Sequence, residues 1–323
     1  MIIGLTYDLK NDYANSGLSA EDIAEFDSEE AIAGIEAAIG ACGHITKRIG
    51  NIRSLAARLV AGETWDFVFN IAEGLSGSGR ESQAPCLLEA YNIPYSFSGP
   101  LTLALCLHKG MAKSVIRDAG LPTPDFALVE KSEDMGRIGL PYPLFAKPIA
   151  EGTGKGIDPS SKIENPAELD KTVTALLERF RQPVLVETYL PGREFTVGIT
   201  GTGAAARSAG CMEVNYAASE MYSYTNKADY EKHVTYTPGR DTAADKAVSL
   251  ALAAYRVLGC RDGGRIDIRC DATGEPSFIE ANPLAGLHPV HSDLPIAARL
   301  AGICYEELIR RILASAFNRT GIG

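Results

Sequence analysis

Three groups of residues in this 323-residue chain have types and spacings suited to chemistry. The first is Glu151-Gly-Thr-Gly-Lys-Gly156, directly after a strand-like run, where exposed backbone N–H groups can close around phosphate oxygens. Lys155 is followed by Gly156 rather than Ser or Thr, so this is not a Walker loop, and it lacks the G-x-G-x-x-G that opens a dinucleotide-binding helix. By itself it also reads as a flexible hairpin tip. Four residues earlier, Lys147 sits inside the apolar run Leu144-Phe-Ala-Lys-Pro148, where its ammonium group must either reach solvent or meet an anion.

The second group is Arg265-x-Asp267 with Glu280-x-Asn282. On two antiparallel strands joined by a hairpin, alternate residues share a face, so these four side chains can converge. Two carboxylates and an amide oxygen make a hard, oxygen-only set suited to magnesium beside nucleotide phosphates, with arginine offsetting the charge. Solvent-facing polar alternation is the competing explanation, and the flanking Ile266, Ile268, Phe278 and Ile279 argue against it. The third group is the loop Pro283–Asp293, in which Ser292 precedes a helix and offers either an N-cap or a carboxylate site. His288 and His291 lack a third partner for zinc.

The elements that must position these groups follow from periodicity. Ile2–Thr6 and Trp65–Asn70 read as buried strands flanking a helix over 31–39 behind Asp27 and Ser28, a βαβ beginning. Helical spacing recurs over 82–91, 107–119, 166–180, 243–258, 293–302 and 305–317, and strand patterns over 144–147, 184–187, 193–200, 265–269 and 277–280. Asp271–Pro276 is a hairpin turn, and 216–236 reads as a loop. The breaks place units at 1–105, 106–199 and 200–323.

Composition limits the partners. Hydrophobic residues make up 46% and charged residues 22%, an ordinary globular mix. Lys and Arg number 31 against 41 Asp and Glu, a net charge of −10 that repels polyanions and disfavours nucleic acid. No run of about 18 apolar residues suggests a membrane span, and the N-terminus reads as a strand rather than a secretion signal. Seven widely spaced cysteines without a C-x-x-C pair fit reduced thiols, hence the cytoplasm.

In order along the chain, these pieces resemble the ATP-grasp superfamily and, within it, the D-alanine–D-alanine ligase group. The likeness spans about 65–312 and rests on Phe69-Asn-Ile-Ala-Glu-Gly74, Glu81-Ser-Gln83, Leu88-Glu89 with Ile93-Pro-Tyr95, and Lys109 before Lys113. It continues through Ala146-Lys-Pro148, Val184–Glu187, Gly192–Val197, Gly264–Asp267 and Ile279–Asn282.

The resemblance implies an α/β, three-domain ATP-grasp architecture with an N-terminal Rossmann-like domain, gripping ATP between two antiparallel sheets. By the same likeness, Lys109 and Lys147 contact phosphates, Thr153, Gly154 and Lys155 form the phosphate flap, Glu187 meets the adenine amine and Glu194 the ribose. Lys227 approaches from a loop, and Asp267, Glu280 and Asn282 hold two magnesium ions, manganese being the substitute. Arg265 and the Gly286 backbone stabilise an oxyanion, and Ser292 binds the second substrate's carboxylate.

The implied activity is a carboxylate-amine ligase acting through an acylphosphate on small amino or related acids, in a homodimer. The alternative is a non-catalytic, ATP-binding regulator. The chain departs from the family at the N-terminal glycine-rich turn, where Glu25, within the acidic insert 19–30, is the positional candidate for the first substrate's ammonium group. Glu73 replaces the usual histidine after the strand, and Asn282-Pro-Leu-Ala-Gly286 replaces Asn-Thr-x-Pro-Gly. These departures imply that ATP chemistry is kept while the substrates differ.

Overall fold

In the computed structural model, which describes residues 1–14, 16–19, 21–216 and 234–322, the chain opens with the apolar strand β1 (Ile2–Thr6). It pairs in parallel with β2 (Ile45–Gly50) and β3 (Phe67–Asn70) in the order β2-β1-β3. The helix α1 (Glu29–Ala41) starts where expected, with Ser28 accepting the Ala31 N–H, and α2 (Ile52–Val60) follows β2. β2 and α2 escape the periodicity reading because Ile-Thr-Lys-Arg-Ile-Gly is an edge strand with half its residues toward solvent, so no apolar run marks it.

Three further helices, α3 (Gln83–Ala90), α4 (Pro100–Leu107) and α5 (Lys109–Asp118), lead out of this unit. The second sheet is antiparallel, order β4-β7-β5-β6, from β4 (Phe126–Val129), β5 (Leu144–Pro148), β6 (Lys162–Ile163) and β7 (Val184–Thr188). On it lies α6 (Pro166–Phe180), capped by Asn165 and burying Leu169, Val173 and Leu176.

The third sheet has five antiparallel strands in the order β10-β9-β8-β11-β12. They are β8 (Glu194–Thr200), β9 (Arg207–Tyr216), β10 (Val234–Pro238), β11 (Gly263–Cys270) and β12 (Pro276–Asn282). Since β8 pairs with both β9 and β11, the segment 194–199, assigned by pattern to the central unit, is built into this last sheet. Residues 234–236, expected in a loop, belong to the edge strand β10; its alternating Val-Thr-Tyr-Thr pattern pairs with β9 on one side only.

Three helices complete the unit: α7 (Thr242–Val257), α8 (Asp293–Leu300) and α9 (Tyr305–Thr320). Leu308, Ile309 and Ile312 of α9 share one core with Ile3, Leu5, Phe67 and Phe69, so the end of the chain locks against its beginning. The seven cysteines are unpaired. Among the described residues no helix is long and apolar enough to cross a membrane.

Candidate active site

The second and third sheets face each other across a cleft, and the side chains singled out by spacing converge there. Register does the positioning on β11 and β12: Arg265 lies opposite Asn282 and Asp267 opposite Glu280, with an irregularity just after Asp267. From the other wall, Lys109 at the start of α5 reaches within 3.5 Å of Glu280. A cavity of about 150 Å³ is lined by Lys147, Thr153, Gly154 and Glu187 from one side and by Glu194, Asp267 and Glu280 from the other. It adjoins a larger cavity of about 470 Å³ that Thr153 and Glu280 also line, together with Lys109, Arg265, Asn282, Gly286 and Ser292.

Charge is arranged in opposed layers. Both oxygens of buried Glu187 are held, one by Lys147 at 2.9 Å and the other by fully buried Lys113 at 2.7 Å. Burial opposes ionisation of Glu187, but the two lysines outweigh it and keep its carboxyl below the ordinary range. Lys113 also donates to Thr123 Oγ1 at 2.9 Å, yet burial pulls its ammonium down to about 8. Glu187 therefore reaches the smaller cavity as the anchor of two lysines. Glu194, on the far wall, accepts from Tyr216 Oη at 2.9 Å and Arg269 Nη1 at 3.1 Å.

Around the hairpin, Asp267 accepts from Thr196 Oγ1 at 2.9 Å and Asn282 Nδ2 at 3.1 Å and pairs with Arg265 at 2.5 Å. Burial raises its carboxyl to about 7, with Arg265 opposing and Glu280 and Asp293 reinforcing the rise. Against the same burial, Lys109, Lys147 and Arg265 hold Glu280 down to about 2. A divalent cation suits this set: Asn282 donates an amide N–H to Asp267 and keeps its carbonyl oxygen, and Asp267 lacks enough positive charge to ionise readily.

The glycine-rich segment is anchored rather than free. Thr153 has φ 52°, sparsely populated for a β-branched residue, and its buried Oγ1 has no hydrogen-bond partner, as expected of a group waiting for a ligand. Gly152 N donates to Glu25 Oε1 at 2.8 Å, and a Cβ at 152 would run into that oxygen. The other Glu25 oxygen pairs with Arg80 at 3.1 Å, and Arg80 also donates to the Ala150 carbonyl at 3.0 Å. Lys155 lines neither cavity; its ammonium group lies 3.5 Å from Glu151 and 3.9 Å from Glu25. Lys155, expected at the phosphate, and Glu25, expected at the substrate, are thus joined in a buried latch, and Glu25 also lines the larger cavity.

Ser292 precedes α8, but its hydroxyl does not cap that helix; Oγ accepts the His288 N–H at 2.9 Å. Its own proton is left to donate. A Cβ on residue 286 would stand 2.8 Å from this oxygen, so glycine there keeps the hydroxyl accessible. Lys227 lies outside the described residues.

Several contributors were not assigned roles from spacing. Lys113 is four residues after Lys109 on α5, a separation that puts both on one helical face, and this was the available signal. Asp293, 3.6 Å from Arg265, follows the singled-out Ser292. Arg80 joins through contacts that sequence spacing does not announce. Asp27, Glu73 and Glu81 all line the larger cavity, and none makes a side-chain hydrogen bond or ion pair with a described residue. Burial pushes Asp27 and Glu81 up to about 7 and Glu73 well above the carboxylate range; neighbouring carboxylates add to each rise, while Lys10 opposes it at Asp27, Arg80 at Glu73, and Arg80 and Lys109 at Glu81.

Comparison with known proteins is consistent across sequence and fold. A family model described as D-ala D-ala ligase C-terminus matches residues 115–314. A D-alanine–D-alanine ligase from Bordetella petrii is 35% identical over 270 residues, 82% of this chain and 79% of that one. The D-alanine–D-alanine ligase of Bordetella pertussis is 37% identical over 270 residues, 82% of each chain. An uncharacterised protein of Sinorhizobium fredii is 31% identical over 299 residues, 88% of this chain and 87% of that one. In fold, the D-alanine–D-alanine ligase of Bacillus anthracis matches with a TM-score of 0.76 at 20% identity over 99% of both chains.

Proposed function

The chain belongs to the D-alanine–D-alanine ligase family, and on that premise we propose that this ATP-dependent ligase joins the carboxylate of one small amino or related acid to the amine of a second through an acylphosphate. The observation that carries the reading is the single cleft in which Lys109 meets Glu280, placing the phosphate-side lysines against the hairpin carboxylates. A carboxylate oxygen of the first substrate attacks the γ-phosphorus, the bond to the β-phosphate oxygen breaks, and ADP leaves. Lys109 and Lys147 offset charge on the transferred group, and Thr153 Oγ1 and the Gly154 backbone bind it from the loop, a reading supported by the cavities that these residues line. Asp267, Glu280 and Asn282 would hold magnesium, which supplies charge neutralisation to the phosphates.

The second substrate's amine then attacks the activated carbonyl; the C–N bond forms, the C–O bond to phosphate breaks, and the amine gives up a proton. Arg265 and the Gly286 N–H face the developing oxyanion, a role in which one lost donor costs about 2.7 to 4 kcal/mol. Ser292, with its proton free to donate, takes the second carboxylate. Two metal ions with manganese as substitute and a homodimeric assembly complete the proposal on family likeness alone, and a cytoplasmic setting on the unpaired cysteines. We keep the division into three units, counting 194–200 with the last.

The test is phosphate release from Mg-ATP across a broad panel of amino-acid and hydroxy-acid pairs, with products identified by mass spectrometry. Release that requires one pair and yields the condensed product is the expected result. Tight ATP binding without product for any pair would refute the ligase reading in favour of the regulator.

A further inference from the structure

Lys113 is fully buried and lines neither cavity, so its ammonium group does not reach a ligand in either. Three oxygens surround that group, as many as it has N–H groups: Glu187 Oε2 at 2.7 Å, Thr123 Oγ1 at 2.9 Å and the Phe278 carbonyl at 3.3 Å. Glu187 comes from β7 and Phe278 from β12, so the two walls of the cleft meet at this one side chain. Joining walls does not require a charge, since an apolar side chain of similar volume packs there without the cost of desolvating an ion.

The charge becomes intelligible when the neighbours are counted. Glu187 pairs with Lys113 through one oxygen and with Lys147 through the other, at 2.9 Å, so the buried trio carries two positive charges against one negative. Burial pulls the Lys113 ammonium only down to about 8, and it keeps its proton at neutral pH. The surplus positive charge faces the smaller cavity, which Lys147 and Glu187 line. Other carboxylates that act on Lys147 have cations of their own: Glu280 has Lys109 at 3.5 Å and the field of Arg265, and Glu194 has Arg269 at 3.1 Å. Without the Lys113 charge, Glu187 and Lys147 would form a neutral pair, and a phosphate would have to compete with Glu187 for the Lys147 ammonium.

We propose that Lys113 is a positioning residue that acts through Glu187: by balancing that carboxylate and holding one of its oxygens, it leaves the charge of Lys147 to the nucleotide phosphates. This rests on the ligase reading above, in which Lys147 meets phosphate. What the cleft must keep is one surplus positive charge, and removing the charges of Lys113 and Glu187 together keeps it.

The experiment measures Mg-ATP affinity by calorimetry and adenosine affinity by equilibrium dialysis on the full chain, in Lys113→Met and in Lys113→Met combined with Glu187→Gln. Thr123 Oγ1 still donates to the Phe278 carbonyl at 2.9 Å in both, so that link from the Thr123 segment to β12 survives. Lys113→Met should lower Mg-ATP affinity about tenfold or more. The double variant should return to within about threefold of the unaltered chain, a non-additivity expected of charges in contact. Adenosine, which carries no phosphate to sense Lys147, should bind all three chains alike. A double variant that binds Mg-ATP no better than the single one, or an adenosine loss as large as the Mg-ATP loss, assigns Lys113 to packing alone and overturns the inference. Should Lys113→Met fail to fold, the double variant, which strands no carboxylate, carries the test: Mg-ATP affinity kept within about threefold supports the inference, and a loss of about tenfold or more overturns it. An unaltered chain that binds Mg-ATP no better than adenosine overturns the phosphate site and the ligase reading together. Charge rescue with no condensed product from any substrate pair overturns the ligase reading and retains the role of Lys113.

Discussion

Replacing Arg80 by alanine tests whether the latch, rather than sequence composition, sets the shape of the phosphate loop. Arg80 and Glu25 have side chains only 9% and 11% exposed, and they meet at 3.1 Å. Truncation strands Glu25 with Lys155 at 3.9 Å and a single N–H, and leaves the Ala150 carbonyl without its donor. Removing one member of a buried pair typically costs about 3 to 5 kcal/mol.

Glu25→Gln should lose less, because the amide oxygen can still accept from Gly152. In the double variant there is no stranded carboxylate, so its loss should fall short of the sum of the singles by about 2 kcal/mol, within the range of coupled neighbours. Urea unfolding followed through Trp65, the single tryptophan and 95% buried by its 5% exposure, gives the stability term. Calorimetry with Mg-ATP gives the functional one, where an unpinned loop must be reordered on binding and affinity drops roughly tenfold to a hundredfold, about 1.4 to 2.7 kcal/mol. Additive losses within about 0.5 kcal/mol, or unaltered nucleotide affinity in Arg80→Ala, would refute the latch as the determinant of loop geometry.

Three further outcomes are expected. Asp267→Asn or Glu280→Gln should lower turnover at least about a hundredfold while circular dichroism stays native, consistent with loss of groups that stabilise a transferring phosphoryl; near-normal rates would remove them from the reaction centre. Lys155→Ala, whose ammonium faces Glu151 and Glu25 instead of the cavities, should lower Mg-ATP affinity less than Lys147→Ala does, and the reverse order would return Lys155 to the phosphate. Asp27→Asn should stabilise the ligand-free chain at pH 8. The folded carboxyl titrates at about 7 against an ordinary 3.8, so it retains a proton that the unfolded chain releases, and its contribution is whole below pH 4 and disappears as pH climbs through 7. A gain of roughly 2 to 4 kcal/mol at pH 8 that shrinks toward pH 5 is the signature, read from melting curves across pH; a pH-independent difference would place Asp27 in a different environment.

What sequence reading reached and missed divides along contact distance. Lys147, the glycine-rich segment and the Arg265–Asn282 hairpin were legible because alternation and turn chemistry are local, and Asp267 opposite Glu280 follows from a short hairpin. Their meeting across one cleft came from the ordered resemblance. The latch was illegible, since Gly152 reaches Glu25 across 127 residues and Arg80 reaches it across 55. Ser292 shows a different limit: position fixed it at a helix start, but only geometry shows its hydroxyl turned back to the His288 N–H. The strands β2 and β10 that the pattern did not give are sheet edges with one neighbour, but β9 lies between two and was missed because Arg-Ser-Ala-Gly-Cys-Met-Glu carries no apolar run.

The insert 19–30 ties these observations together. Two residues apart, it sends Glu25 into a neutralised contact with the glycine-rich loop and Asp27 onto the cavity wall, where Lys10 acts on it. A segment this short couples the two places, because a shift of the backbone at Asp27 carries Glu25 with it, and with Glu25 the hydrogen bond that holds Gly152.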